Sequence, residues 1–302
     1  MHILATGCAG QVGTELRRRS ERKRISLNAR LREELNVADA NAVSDALDKF
    51  APDVLINAAA YTAVDKAETE REEAFAVNRD APGILAEACA ERDIPLIHIS
   101  TDYVFDGTKT GSYLEADQVH PLGVYGASKE AGEQRIRYAL DRHVIVRTSW
   151  VYAAHGVNFM RTMLRVGAEQ DELRVVADQS GTPTAAVDIA ETLLAIAGRI
   201  GRGVDVPWGT FHFTARGWTT WHGFAEAIFE IAEPVLGRKP NVKAIPTSEY
   251  PTPVARPTNS VLDCSKIDQA FGPERRHWRE ALAEVLDELL QDKVHGVKGE
   301  SD

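Results

Sequence analysis

The sequence predicts an α/β fold of Rossmann type: a doubly wound parallel sheet with a smaller mixed α/β lobe carried by its C-terminal half. Three observations predict it. Short, continuous, β-branched apolar runs alternate with longer amphipathic stretches through the first half, as expected of parallel strands covered by helices on both faces. A glycine triplet stands between the first apolar run and the first helical stretch, where a dinucleotide-binding unit requires it. After Trp150 the alternation breaks, which marks a second, mixed lobe.

Taken in order, strands are expected at His2–Thr6, Ile25–Asn28, Val54–Ala59, Leu96–Ser100 and Val144–Thr148, each a short apolar run bounded by polar or turn residues. Helices are expected between them at Gln11–Arg19, Ala40–Phe50, Glu72–Arg92 and Tyr125–Leu140, where apolar residues recur at helical spacing. Beyond Trp150 the pattern predicts helices at Val157–Ala168, Val187–Arg199, Thr220–Ala232 and Trp278–Leu290, with strands at Leu173–Val176 and Thr210–Thr214. The proline-rich stretch Pro246–Pro257 reads as an extended loop, and Lys293–Asp302 as a frayed polar tail. The expected division is a dinucleotide-binding domain over residues 1–149 and a mainly substrate-binding lobe over 150–292, with segments returning to the first.

Composition narrows the function classes. A chain of 302 residues with a formal net charge of −10 has no fold-wide basic surface for nucleic acid. Its three cysteines are widely spaced, which disfavours both a disulfide framework and a zinc site, and no metal-ligand spacing occurs. No apolar run is long enough to span a bilayer, and the first residues lack a signal-peptide pattern. A reducing cytoplasm is the expected compartment.

The chemistry concentrates at a few positions. In Gly7-x-x-Gly10-x-x-Gly13 the first glycine permits a tight turn, the second lets backbone approach a pyrophosphate, and the third lets the helix pack on the sheet. The phosphates would then meet the free N–H groups of the helix N-terminus. The second strand ends in Asn28 rather than an acid, with Arg30 and Arg32 beyond it and Arg17 and Arg18 on the preceding helix. Arginines there suit a 2′-phosphate, so NADPH is the expected cofactor, with NADH tolerated; an ordinary solvated basic face is the other reading. Tyr125 and Lys129 stand four apart at the start of a helix and share one face. A lysine beside a phenol would lower its pKa toward working pH, so that the phenol can donate a proton to a carbonyl oxygen. Thr101 follows the fourth strand, at the carboxyl edge where such sheets bind ligands.

At these residues the sequence resembles the extended short-chain dehydrogenase/reductase superfamily and, within it, the dTDP-4-dehydrorhamnose reductase family. The resemblance runs from Ile3 to about Leu290. It is carried by the glycine loop, by Ala63-Val64-Asp65-Lys66-Ala67-Glu68, by Ser100-Thr101-Asp102-Tyr103-Val104-Phe105, by Arg147-Thr148-Ser149-Trp150 and by Arg256-Pro257-x-Asn259-Ser260. It implies reduction of the 4-keto group of a dTDP-sugar. It further implies that Gly10, Gln11 and Val12 contact the dinucleotide, Asn36 and Val37 its adenine side, and Ala60, Tyr61 and Thr62 its nicotinamide half. Thr101 and Asp102 would touch the sugar and Trp150 the nucleotide sugar, while Tyr125 and Lys129 form the catalytic pair and Lys129 holds the nicotinamide ribose. Family members often carry histidine where this chain has Tyr61. Some relatives dimerise through magnesium bound by glutamates; Glu15 matches one of them, and both the metal and the choice between monomer and homodimer stay open.

Bland readings stand beside these. Trp150 could be core packing, and the run Trp218, Trp221 and Phe224 at helical spacing is expected to pack the second lobe. Arg256 could fork onto a diphosphate or be an ordinary loop arginine. A dehydratase or epimerase is disfavoured because Thr101-Asp102 is followed by Tyr103, so a second acid is missing. A reductase of another nucleotide keto-sugar remains an alternative. So does a non-catalytic binding subunit, like the regulatory subunit of methionine adenosyltransferase, which an intact Thr101, Tyr125 and Lys129 set disfavours.

Overall fold

The computed structural model describes residues 1–296. Six strands form one parallel sheet: β1 (His2–Thr6), β2 (Ser26–Ala29), β3 (Val54–Asn57), β4 (Leu96–Thr101), β5 (His143–Thr148) and a last strand, Gly209–His212. Their order is the last strand, β5, β4, β3, β1, β2, every neighbouring pair parallel. The chain reverses its winding between β1 and β3, the switch point where such sheets open a crevice at their carboxyl ends.

Both faces of the sheet are buried, which explains why the strands read as unbroken apolar runs. Ile3, Ala5, Val54, Ile56, Ile97, Val144 and Val146 face one side, with Val12 and Leu16 of α1 (Gln11–Lys23). Leu4, Leu55, Leu96 and Ile145 face the other. There they meet α2 (Ala40–Phe50) and the helical run after β3, through Val43, Leu47, Leu85 and Cys89. Each such side chain contributes roughly 1.5–3 kcal/mol on burial.

The single helix expected over Glu72–Arg92 is instead α3 (Arg71–Phe75), a π turn (Ala76–Asp80) and α4 (Ala81–Ala90). Pro82 has no N–H to donate to the carbonyl four residues back, so the carbonyl of Asn78 is released. A β-carbon at Gly132 would come within 2.0 Å of that carbonyl oxygen. Only glycine there lets α5 (Val124–Ala139) pack against the turn.

Beyond Trp150 the elements are β6 (Val151–Tyr152), α6 (Phe159–Glu169), β7 (Glu172–Val176), β8 (Ser180–Gly181), β9 (Thr184–Ala185), α7 (Ala186–Gly201), β10 (the Gly209–His212 strand), β11 (Thr219–Thr220), α8 (Trp221–Leu236), β12 (Asn241–Ile245), α9 (Ser265–Phe271) and α10 (Trp278–Gly296). α7 lies against α1, in the same core. β10 extends the main sheet beside β5. A separate core joins Tyr152, Met160, Leu164, Phe224, Ile228, Trp278, Leu282 and Leu286 from α6, α8 and α10. β12, the bridging pairs β6–β9 and β8–β11, and α9 have no counterpart among the sequence-derived elements. α8 continues past Ala232 through Pro234 to a left-handed Gly237. Within Pro246–Pro257 a short 3₁₀ turn forms at Thr247–Glu249. Of the expected frayed tail, residues 293–296 continue α10; the remainder lies outside the described residues. Among the described residues no helix is long and apolar enough to cross a membrane.

Candidate active site

The site gathers at the carboxyl edge of the sheet around the switch point. Gly7 follows β1 with φ +70, and a β-carbon there would come within 2.4 Å of the Ala58 carbonyl carbon. At Gly13 a β-carbon would meet the Gly7 oxygen at 2.3 Å, so the first turn of α1 lies directly on the loop. Gly10 has no such crowding and is exposed; its bare backbone begins α1. No side chain caps this helix, and no acid occupies its first turn. The free N–H groups and the positive end of the dipole are therefore left for an anion. Val12 is buried in the sheet core. Gln11 accepts from Asn158 Nδ2 at 2.9 Å, which ties the loop to the N-cap of α6.

The arginines beyond β2 divide. Arg30 stacks over Phe50 with its guanidinium 4.2 Å from the ring, and its carbonyl accepts from the Cys8 N–H within the glycine loop. Arg32 is largely exposed, near Glu73. Arg18, expected near the cofactor, is turned away to Glu15 and Glu288. Asn36 is exposed in the loop before α2, whereas Val37 is buried in the core.

Ala60, Tyr61 and Thr62 lie in the loop after β3. Asn78, from the π turn, accepts from the Tyr61 N–H at 2.9 Å and donates to the Tyr61 carbonyl at 3.0 Å and to Ser128 Oγ at 3.0 Å. The Tyr61 hydroxyl donates to Glu70 at 2.5 Å, a bond that pushes its pKa up to about 12. Farther along, Glu68 accepts from the Val124 N–H at 2.7 Å. It thereby caps α5, which has no cap of its own. Neither Asn78 nor Glu68 was singled out as a site residue in the sequence: Asn78 is one polar residue in a helical pattern, and Glu68 only closes the Ala63–Glu68 motif.

Thr101 ends β4, and its hydroxyl accepts from the Tyr103 N–H at 3.2 Å. The same hydroxyl donates to Asp102 Oδ1 at 3.1 Å and lies beside the Tyr125 phenol. Tyr103 meets Tyr125 edge-on, centroids 5.5 Å apart. Asp102 is buried near Ser260, and burial drives its carboxyl up to about 6 against the lowering influence of Ser260 and the Thr101 hydrogen bond; its Oδ2 has no partner.

The expectation that Lys129 lowers the phenol of Tyr125 is overturned. Burial raises Tyr125 to about 12, against the Thr101 hydrogen bond, and Lys129 has no part in the shift. The Lys129 amine turns inward instead, donating to the Ile99 carbonyl at 2.7 Å and meeting His98 Nε2 at 3.2 Å. Desolvation lowers it to about 8.

Trp150 holds a left-handed backbone, φ +49, and its indole stacks on Trp221 with centroids 3.5 Å apart and planes 8° from parallel. Phe224 is core, but Trp218 is 61% exposed and so does not pack the lobe as expected. Arg256 pairs with Asp65 at 2.7 Å, joining the proline-rich loop to the loop after β3, and its Nη1 is buried without a partner. Glu15 is engaged by Arg18, Arg19 and His155. Among the described residues no group of three or more acids, histidines or cysteines could hold a metal.

Residues 1–291 match the family model described as the RmlD substrate binding domain. The chain is similar to the dTDP-4-dehydrorhamnose reductase of Aggregatibacter actinomycetemcomitans, 44% identical over 94% of this chain and 97% of that one. Among solved structures it is similar to a dTDP-4-dehydrorhamnose reductase from Clostridium acetobutylicum, with TM-score 0.89 and 37% identity over 96% of this chain and 99% of that one. It is also similar to the Bacillus anthracis dTDP-4-dehydrorhamnose reductase in complex with NADP, with TM-score 0.88 and 33% identity over 95% and 99%.

Proposed function

The chain belongs to the RmlD substrate binding domain family, and from that membership we propose that it is an NADPH-dependent reductase converting dTDP-4-dehydrorhamnose to dTDP-L-rhamnose. The observation that carries the reading is that Thr101, at the end of β4, and Tyr125, on the first turn of α5, lie together beside Asp102, with the N-terminus of α1 left uncapped after β1.

The dinucleotide, when bound, supplies the hydride. The glycine loop and the first turn of α1 hold its pyrophosphate, and Ala60, Tyr61 and Thr62 flank the nicotinamide half. Tyr125 gives its phenolic proton to the 4-keto oxygen. A phenol raised to about 12 is fully protonated at neutral pH, which is the form a donor needs. Thr101 orients the same oxygen, and Lys129 holds the nicotinamide ribose. Asp102 and Ser260 face the sugar, Arg256 the diphosphate and Trp150 the nucleotide, so the segments after Trp150 form the substrate side. Arg30, beside the glycine loop where no acid closes β2, favours NADPH, with NADH accepted less well. The three buried free thiols suit a reducing cytoplasm.

NADPH oxidation, followed by absorbance with dTDP-4-dehydrorhamnose, tests the reading: NADPH loss with dTDP-L-rhamnose formed supports it. Binding of NADPH without turnover would redirect it to another keto-sugar or to a non-catalytic subunit. Tyr125→Phe is expected to lower kcat by about 10² or more while NADPH affinity stays within a few-fold. A kcat preserved within a few-fold would remove Tyr125 as the proton donor.

A further inference from the structure

Beneath Lys129 lies a buried polar chain that the mechanism above does not use. Thr6 Oγ1 donates to Asn57 Oδ1 at 2.7 Å, and Asn57 Nδ2 meets His98 Nδ1 at 3.0 Å. His98 Nε2 then meets the Lys129 amine at 3.2 Å. All four residues are at most 2% exposed, and the chain ends on the Thr6 hydroxyl inside the protein. It has no outlet to water, so it is no proton wire.

Its hydrogen-bond directions are determined from one end. The backbone N–H of Ala59 donates to Asn57 Oδ1 at 3.0 Å. A backbone N–H can only donate, so the Asn57 oxygen faces Ala59 and its NH₂ faces His98. An amide NH₂ is likewise only a donor, so His98 Nδ1 accepts. The proton of the neutral ring then sits on Nε2 and points at Lys129. An ammonium group has no lone pair with which to accept it. The amine form does, while still donating to the Ile99 carbonyl.

We propose that His98, its tautomer locked by Asn57 and the Ala59 amide, is a positioning residue that holds Lys129 as a neutral amine, and that Lys129 must leave His98 and take up a proton to engage the nicotinamide ribose. This rests on the reductase reading. The titratable groups that bear on Lys129 are His98 on β4 and Glu133 on α5. Glu133 is spent on a two-pronged pair with Arg147, at 2.9 and 2.6 Å. Its charge still raises Lys129, but by less than burial lowers it. The lowering of Lys129 to about 8 by burial agrees in direction.

Two measurements test it. In the wild-type protein, ¹⁵N NMR of the histidine rings, assigned by loss of one spin system in His98→Gln, should show His98 neutral at pH 7 with its proton on Nε2. A proton on Nδ1, or a charged ring, would overturn the proposal whether or not the protein reduces any sugar. The second is the pH dependence of NADPH affinity, read by fluorescence. The dissociation constant should break below pH 7 and weaken by about tenfold per pH unit above that break, because binding to the neutral amine takes up one proton. Asn57→Asp replaces the NH₂ by an acceptor, which turns the His98 proton to Nδ1 and presents Nε2 as a lone pair to an ammonium. The break should then move up by about one pH unit or more. A merely structural Asn57 would cost stability and leave the break in place, which would sink the proposal. A protein that bound no NADPH at any pH would count against the reductase reading, and the NMR tautomer would still decide this one.

Discussion

Asp102 shows how a single residue in this site trades stability for readiness. Its carboxyl is buried with one oxygen unpaired and is raised from 3.8 to about 6 by burial. A carboxyl raised on folding favours the folded state while protonated. That contribution is complete below about pH 4 and is lost as pH rises through about 6, a cost near 3 kcal/mol at neutral pH. Asp102→Asn is therefore expected to raise thermal stability at pH 7.5 by about 1–3 kcal/mol and to change it little at pH 4, while weakening sugar binding. Melting curves at the two pH values check this; equal shifts at both would contradict it. The site residues legible in the sequence were those on a spacing or in a motif: the three glycines, Thr101, and Tyr125 with Lys129. Asn57, Asn78 and His98 were not legible, because each acts through a partner 17 to 50 residues away that only the fold brings close. That Lys129 leaves the Tyr125 phenol unshifted was not legible for the same reason: helical spacing aligned the two, but the carbonyl that accepts from the Lys129 amine lies on β4.

At the scale of elements, α5 carries the Tyr125 phenol on its first turn and depends on a remote cap. Glu68 supplies that cap through the Val124 N–H, and its carboxylate also faces the positive end of the helix dipole. Glu68→Ala should destabilise the protein by about 1 kcal/mol and lower kcat several-fold as the first turn of α5 loosens. Urea unfolding and steady-state kinetics on the same variant check both; full activity at reduced stability would show that the cap does not position Tyr125. The strands of the sheet were legible because both faces are buried and the runs are continuous. The two-residue strands β6, β8, β9 and β11 were not, since a pair of residues has no periodicity to read. The π turn was hidden because its cause, a proline at position 82, lies inside an otherwise ordinary helical pattern.

For the whole molecule, what matters is that the chain after Trp150 does not stay apart from the sheet. α7 packs on α1 and β10 completes the sheet edge beside β5, while Gln11 and Asn158 join the glycine loop to α6. Neither the sheet nor the α6–α8–α10 core can be dismantled without exposing apolar surface of the other. One cooperative thermal transition is expected, with calorimetric and van't Hoff enthalpies in agreement; two separable transitions would show that the halves unfold independently. Trp150 lies on this seam, its ring face to face with Trp221 at the head of α8. Two indoles so close and so nearly parallel share their electronic transitions, and a shared transition appears in circular dichroism as a pair of bands of opposite sign. If the nucleotide proposed to bind at Trp150 parts the rings, that couplet would vanish, and the protein's own spectrum would report the binding without an attached label.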